Sequence, residues 1–287
     1  MSMLRSAPPD TGWQARLNLG FARQESRTIL EQCRHAGPLQ VQRPFYPEGT
    51  GVCHVALLHP PGGVVGGDEL WIEAVLNRSA HALITTPAAG KCYRSAGPVA
   101  RQIQQLTVAP GAALEWLPQE TIVFNGACVH TLTHVELCGD AQFIGWEIFC
   151  LGRPAAGEIF GTGEYRQDFE LWRDGEPLYL ERGHYGGGDP VLDARWGLQG
   201  QPVSGLLVCA ASLAGEVVSA LRAGWDAISP SPPTPELATV SQLDGVLISR
   251  YLGPSTARAR RWFTLAWGLL RPALLKRPPC PSRFWNT

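Results

Sequence analysis

Residues 13–22 read WQARLNLGFA, and their alternation decides the class of fold. Trp13, Ala15, Leu17, Leu19 and Phe21 fall on one side of an extended chain, and Gln14, Arg16, Asn18 and Gly20 on the other. A period of two predicts a half-buried strand, because successive side chains of a strand point to opposite faces. Similar segments recur as GVCHVALL (51–58), LWIEAVL (70–76), HALITT (81–86), RQIQQLTV (101–108), ALEWL (113–117), ETIVF (120–124), VHTLTHVEL (129–137) and AQFIGWEIFCL (141–151). Glycine, proline and asparagine separate them at intervals of about ten residues, which predicts a sandwich, barrel or wound β structure. No long helical pattern precedes residue 200, so a parallel sheet built from strand-helix-strand units is not expected.

Beyond residue 200 the pattern changes. After the apolar strand VSGLLVCA (203–210), SLAGEVVSALRAGWDAI (212–228) sets Leu213, Val217, Leu221, Trp225 and Ile228 three and four residues apart, the period of an amphipathic helix. SPSPPTPE (229–236) cannot continue it and reads as a proline-rich connector. Two short strands, TVSQL (239–243) and GVLISRYL (245–252), precede a second helix in PSTARARRWFTLAWGLLRPALL (254–275), with Ser255 or Thr256 as its cap and an apolar stripe running up to Pro272. The expected organisation is a flexible tail over 1–11 and one domain over 12–287.

The chain has 287 residues, 45% of them hydrophobic, enough for a large core. A formal net charge of -1 gives no general attraction to nucleic acid or to an acidic membrane surface. The first ten residues carry no apolar run, so neither an export signal nor a membrane anchor is expected there. None of the eight cysteines forms a Cys-any-any-Cys pair, and the expected setting is the reducing cytoplasm with free buried thiols.

LLHPPGGVVGGDEL (57–70) has paired glycines where a dinucleotide loop needs them singly spaced, and TTPAAGKC (85–92) lacks the first glycine and the hydroxyl of a triphosphate loop. His130 and His134 would share a metal on a helix, but the β-branched residues between them favour a strand, where they stand about 13 Å apart. No Gly-any-Ser-any-Gly elbow marks a nucleophile. Arg258, Arg260 and Arg261 open the last helix and read as a solvated face, with an acidic partner as the other possibility. The unusual feature is a set of carboxylates at positions where alternation or apolar neighbours predict burial: Asp68, Glu115, Glu120, Glu147 and Glu181. Buried carboxylates need partners. Two readings stand side by side: pairing with residues such as Arg153, Arg94 and Lys91, or a hydrated acidic interior that passes a hard or borderline cation.

Four blocks, HPPGGVVGGDEL (59–70), TTPAAGKCYRS (85–95), LEWLPQETIVF (114–124) and CLGRPAAGE (150–158), follow one another in an order that resembles the UreD/UreH family of urease accessory proteins. GPLQVQRPFYPE (37–48), PVSGLLVC (202–209) and PSRFWNT (281–287) extend the resemblance from about residue 12 to the C-terminus. It implies a mainly β, elongated β-helical or stacked-sheet fold with about two helices toward the C-terminus. It also implies a cytoplasmic chaperone rather than an enzyme, a scaffold that binds apo-urease together with UreF and the GTPase UreG. Nickel(II) would be in transit, with no tightly bound cofactor and no stable metal cage, through a water-filled passage to which Asp68, Glu147 and Glu181 are assigned by match to family positions. Oxygen ligands along a wet conduit suit such transfer, because they offset desolvation of the ion while holding it weakly. Two other classes stay open: a β-rich hydrolase with a scattered site, and a protein-binding module whose carboxylates are structural. GVLISRYL and the helix at 257–271 are the expected docking surfaces.

Overall fold

The computed structural model describes residues 12–228 and 236–286. The expected tail and, apart from Glu236, the expected connector lie outside the described residues. In chain order the first strands are β1 (Gln14–Gln24), β2 (Arg27–Ala36), β3 (Gln40–Val41), β4 (Cys53–Leu58), β5 (Glu69–Leu76), β6 (His81–Thr85), β7 (Gly90–Cys92), β8 (Ala100–Val108) and β9 (Ala113–Leu117). They continue with β10 (Thr121–Val123), β11 (Cys128–Leu137), β12 (Gln142–Leu151), β13 (Glu164–Arg173), β14 (Glu176–Gly186), β15 (Val203–Cys209), β16 (Leu237–Leu243) and β17 (Val246–Gly253). The helices are α1 (Gly215–Ile228) and α2 (Thr256–Leu275).

The strands form a 7-stranded sheet in the order β14-β13-β11-β8-β5-β1-β2 and a 10-stranded sheet whose main path is β16-β17-β15-β12-β9-β6-β4-β3. From β4 to β13 the chain winds from one sheet to the other. As a result β1, β5, β8, β11 and β13 lie parallel in the first sheet, and β4, β6, β9 and β12 lie parallel in the second. A parallel pair needs a crossover of a dozen or more residues, usually a helix. Here a strand of the facing sheet is the crossover, which is how parallel sheets arise without helices in this mainly β, solenoid-like stack. Antiparallel strands finish the ends: β2 on β1 and β14 on β13, with β3 on β4 and β15, β17 and β16 beyond β12.

The alternation in the opening segment is met by Ala15, Leu17, Leu19 and Phe21, all buried between the sheets. Trp13 departs from it at 61% exposed. It precedes β1, beyond the end of the layer that would cover it. A second core lies on the outer face of the 10-stranded sheet, under α1 and α2, where Trp262, Phe263, Ala266, Trp267 and Leu270 are buried. Both segments expected as docking surfaces are therefore spent internally: β17 lies within its sheet between β15 and β16, and the apolar stripe of α2 packs against that sheet. Ser255 caps α2 by accepting the Arg258 N–H. The helix also runs through Pro272 to Leu275, because the burial of Arg271 and Leu275 holds the last turn in place despite the hydrogen bond that proline removes.

Candidate functional site

Three neighbouring strands of the 7-stranded sheet interrupt their inward apolar faces at the same level. On β8 the inward set is Ala100, Gln102, Gln104, Leu106 and Val108, on β11 it is Val129, Thr131, Thr133, Val135 and Leu137, and on β13 it is Tyr165, Gln167, Phe169 and Leu171. The register aligns Gln102 with Thr131 and Thr131 with Gln167, while Gln104 faces Thr133. Amides and hydroxyls thus form a polar floor inside an apolar interior. From the opposite sheet, β12 turns Trp146 into the core beneath the helices and so directs Glu147 inward, onto that floor.

The space between is a cavity of about 330 Å³ lined by Gln102, Gln104, Thr131, Glu147 and Gln167 among others. That volume has room for roughly ten waters at about 30 Å³ each. The exposed lining residues Pro60, Ala88 and Gly90 mark its mouth, with His59, Gly62, Gly63 and Lys91 of the same two loops also in the lining. The glycines are required by close packing there: a Cβ on Gly63 would lie 2.5 Å from the Tyr93 ring, and Gly67 has φ +90. Burial pushes the His59 imidazole pKa below its usual value, against the opposing pull of the Asp68 charge, so a neutral imidazole faces the entrance at neutral pH.

Glu147 has neutral partners. Thr133 Oγ1 donates to its Oε1, and Gln167 Nε2 donates to Oε2 at 2.5 Å. No Lys, Arg or His within ion-pair distance balances its charge among the described residues. Burial pushes its carboxyl above the ordinary value; the two hydrogen bonds pull it down, and the nearby Glu181 charge pushes it further up. The ionised form is therefore costly, and a cation entering the cavity would relieve that cost.

The other two residues assigned to the passage stand apart from the cavity lining. Asp68 accepts the backbone N–H groups of Trp13 at 2.8 Å and Val65 at 2.9 Å, so both its oxygens are committed to holding the glycine loop against the start of β1. Glu181, on β14, accepts from Tyr179 and pairs with Arg250 at 2.5 Å. Of the three, the structure places only Glu147 in the wall of the cavity, with Glu181 near enough for its charge to act there.

Glu115 is buried differently. It accepts from His81 Nε2 at 2.7 Å, from Trp267 Nε1 at 2.7 Å and from the Arg271 guanidinium at 2.9 Å. Arg271 also pairs with Glu48 at 2.6 Å, and Glu48 meets His54 at 2.8 Å. Burial would raise the Glu115 carboxyl, but His81 and Arg271 outweigh it and hold the group below its ordinary value. The same balance, with His54 and Arg271 prevailing over burial, brings Glu48 to about 2. The expected partners lie elsewhere: Arg153, for one, pairs with Glu158 on the surface. The arginines at the start of α2 are not a uniformly solvated face either, since Arg258 pairs with Glu236 and Arg260 with Glu120.

His130 and His134 lie on a strand, on the outer face of the 7-stranded sheet, where they meet Asp168 at 2.9 Å and Glu170 at 3.0 Å. Among the described residues no group of three or more His, Cys, Asp and Glu is placed to hold a metal ion, and no helix is long and apolar enough to cross a membrane. Sequence reading passed over Gln102, Gln104, Thr131, Thr133 and Gln167. Their signal was polar residues on the apolar parity of RQIQQLTV, VHTLTHVEL and EYRQDFELW, and it becomes a site only once the register aligns them.

A family model described as "UreD urease accessory protein" matches residues 14–286. The chain is 48% identical over 275 residues to the urease accessory protein UreD of Dechloromonas aromatica, covering 96% of this chain and 95% of the relative. It is 46% identical to the protein of that name from Azoarcus sp., covering 99% and 97%, and 45% identical to the one from Nostoc sp., covering 96% and 97%.

Proposed function

The chain belongs to the UreD urease accessory protein family, and on that premise we propose that it matures urease as a chaperone, with no catalytic activity of its own. In this reading it is a cytoplasmic scaffold that binds apo-urease together with UreF and the GTPase UreG and helps deliver nickel(II) to the urease active site. The ion passes transiently through the cavity between the sheets. The observation that carries the reading is Glu147: a carboxylate in the wall of a mostly apolar cavity, with neutral hydrogen-bond donors and no cation beside it among the described residues.

The chemistry suits a cargo in transit. Nickel(II) is strongly hydrated, and oxygen donors from Glu147, Thr131, Gln102 and Gln104 can replace part of its shell in a space with room for water. A cage of cysteines and histidines would bind it too tightly to release. His59 at the mouth adds a neutral imidazole, a ligand that an arriving ion meets before Glu147. Asp68 serves the route by fixing the loop that shapes the mouth, and Glu181, paired with Arg250, stands beyond Glu147.

The test is the nickel content and activity of urease from cells with this gene intact or deleted, at equal urease expression. Loss of both on deletion, restored by the intact gene, is the expected result. Unchanged nickel and activity would overturn the maturation role.

A further inference from the structure

The registers that bring Thr133 to Glu147 bring a second pair together two strands further along. In the 7-stranded sheet, Thr133 of β11 aligns with Phe169 of β13, and Phe169 with Glu181 of β14. In the 10-stranded sheet, Glu147 of β12 aligns with Leu206 of β15, and Leu206 with Arg250 of β17. Glu147 meets Thr133 across the gap between the sheets, and Arg250 meets Glu181 across the same gap. At roughly 5 Å per strand, the two stations lie about 10 Å apart. Between them stand Phe169 and Leu206, 1% and 4% exposed. Arg250 is 54% exposed on its side chain and Glu181 22%, so the second station reaches solvent.

We propose that Arg250 is a charge latch two strands beyond the cavity wall: it holds Glu181 and Tyr179, and a divalent cation leaves Glu147 in that direction only when the Arg250–Glu181 pair opens. The proposal rests on the passage reading and adds to it a residue that controls release. Glu181 alone would extend the attraction that Glu147 exerts on a cation. With the guanidinium on its carboxylate and on the Tyr179 hydroxyl, that attraction is cancelled and the Glu181 oxygen is taken, so a cation finds neither net charge nor a free ligand there. The buried apolar pair, Phe169 and Leu206, leaves an ion no oxygen ligands over the short distance between the stations, which makes the exit step sensitive to whether Glu181 is free to receive it. Glu181 lies near enough to Glu147 for its charge to push that carboxyl up.

The test is release of nickel(II) from the full-length protein, loaded with the ion and mixed rapidly with a chelating dye. Arg250→Gln removes the charge and is expected to speed release about tenfold, whereas Arg250→Lys keeps it and is expected to stay within about twofold of the parent. Arg250 is half exposed, so both variants should fold; thermal melting confirms this before the kinetics are compared. Unchanged release from Arg250→Gln, or equal acceleration by Arg250→Lys, would overturn the latch. Glu147→Gln separates the two claims. If it takes up less nickel while Arg250→Gln releases at the parent rate, the passage stands and the latch falls. If Glu147→Gln takes up as much nickel as the parent, the passage fails and the latch with it.

Discussion

The 10-stranded sheet carries an inward glutamate on each face, Glu115 fully buried and Glu147 half-buried in a cavity wall, and the two have opposite surroundings. Toward the helices, Glu115 is held by Arg271, His81 and Trp267. Toward the other sheet, Glu147 is held by a threonine and a glutamine and faces a cavity. Glu115 has its counter-charge built in, so its burial yields a staple: Arg271 ties α2 to β9 and, through Glu48, to the segment before β4. Glu147 lacks one, so its burial leaves a standing electrostatic cost that only something from outside can relieve. The difference separates a carboxylate placed for stability from one that, in the proposed function, is placed for a mobile cation.

The largest expected effect breaks the compensated side. Arg271→Met leaves Glu115 and Glu48 without their shared cation and should destabilise the protein by about 3–5 kcal/mol, read by urea or thermal unfolding. A loss below about 1 kcal/mol would mean that the network is not a staple.

Glu147→Gln sharpens the contrast in the other direction. It keeps the shape and removes an uncompensated charge, so stability at neutral pH should hold or rise by about 1 kcal/mol. Clear destabilisation in the same unfolding assay would place Glu147 with Glu115 as a structural group.

The two carboxylates also predict opposite pH slopes. Glu115 has a lowered folded pKa, so the folded state binds its proton less readily than the unfolded chain; its stabilisation is present above the ordinary value of 4.5 and is lost as pH falls below it. Glu48 behaves alike, over the range from 4.5 down to about 2. Glu147 has a raised folded pKa, so the folded state binds the proton more readily and the parent gains stability as pH falls from neutral toward 4.5. The advantage of Glu147→Gln should therefore shrink over that interval. Unfolding curves of parent and variant at a series of pH values check the sign.

The smallest effect lies on the outer face of the 7-stranded sheet. Arg182 pairs with Asp168 and Glu170, but it is 51% exposed. Arg182→Gln should change stability by less than about 0.5 kcal/mol, because water and salt already screen that pair. A larger loss on unfolding would show that the exterior ladder matters more than its exposure suggests.

The strands were legible in the sequence because period-two patterning is local: WQARLNLGFA and VHTLTHVEL each declare their faces without help from the rest of the chain. Their pairing was not. That β5 lies beside β8 and β8 beside β11 depends on the chain crossing to the facing sheet between them, which no single segment reveals. The candidate site divides in the same way. Glu147 is visible as a charge inside FIGWEIFCLG, but Gln102, Thr131 and Gln167 become one floor only when the register is known. Glu115 shows the limit most clearly. Its counter-ion, Arg271, is 156 residues away in a helix, and no spacing rule joins the two.

The central claim is that Glu147 is placed for a passing ion and not for the fold. The most direct test compares urease matured in cells carrying parent protein or Glu147→Gln, at equal levels of both urease and accessory protein, with nickel per urease measured alongside the melting temperature of each variant. Nickel reduced several-fold by a variant that melts at or above the parent temperature is the predicted result. Full nickel loading with Glu147→Gln would contradict the claim.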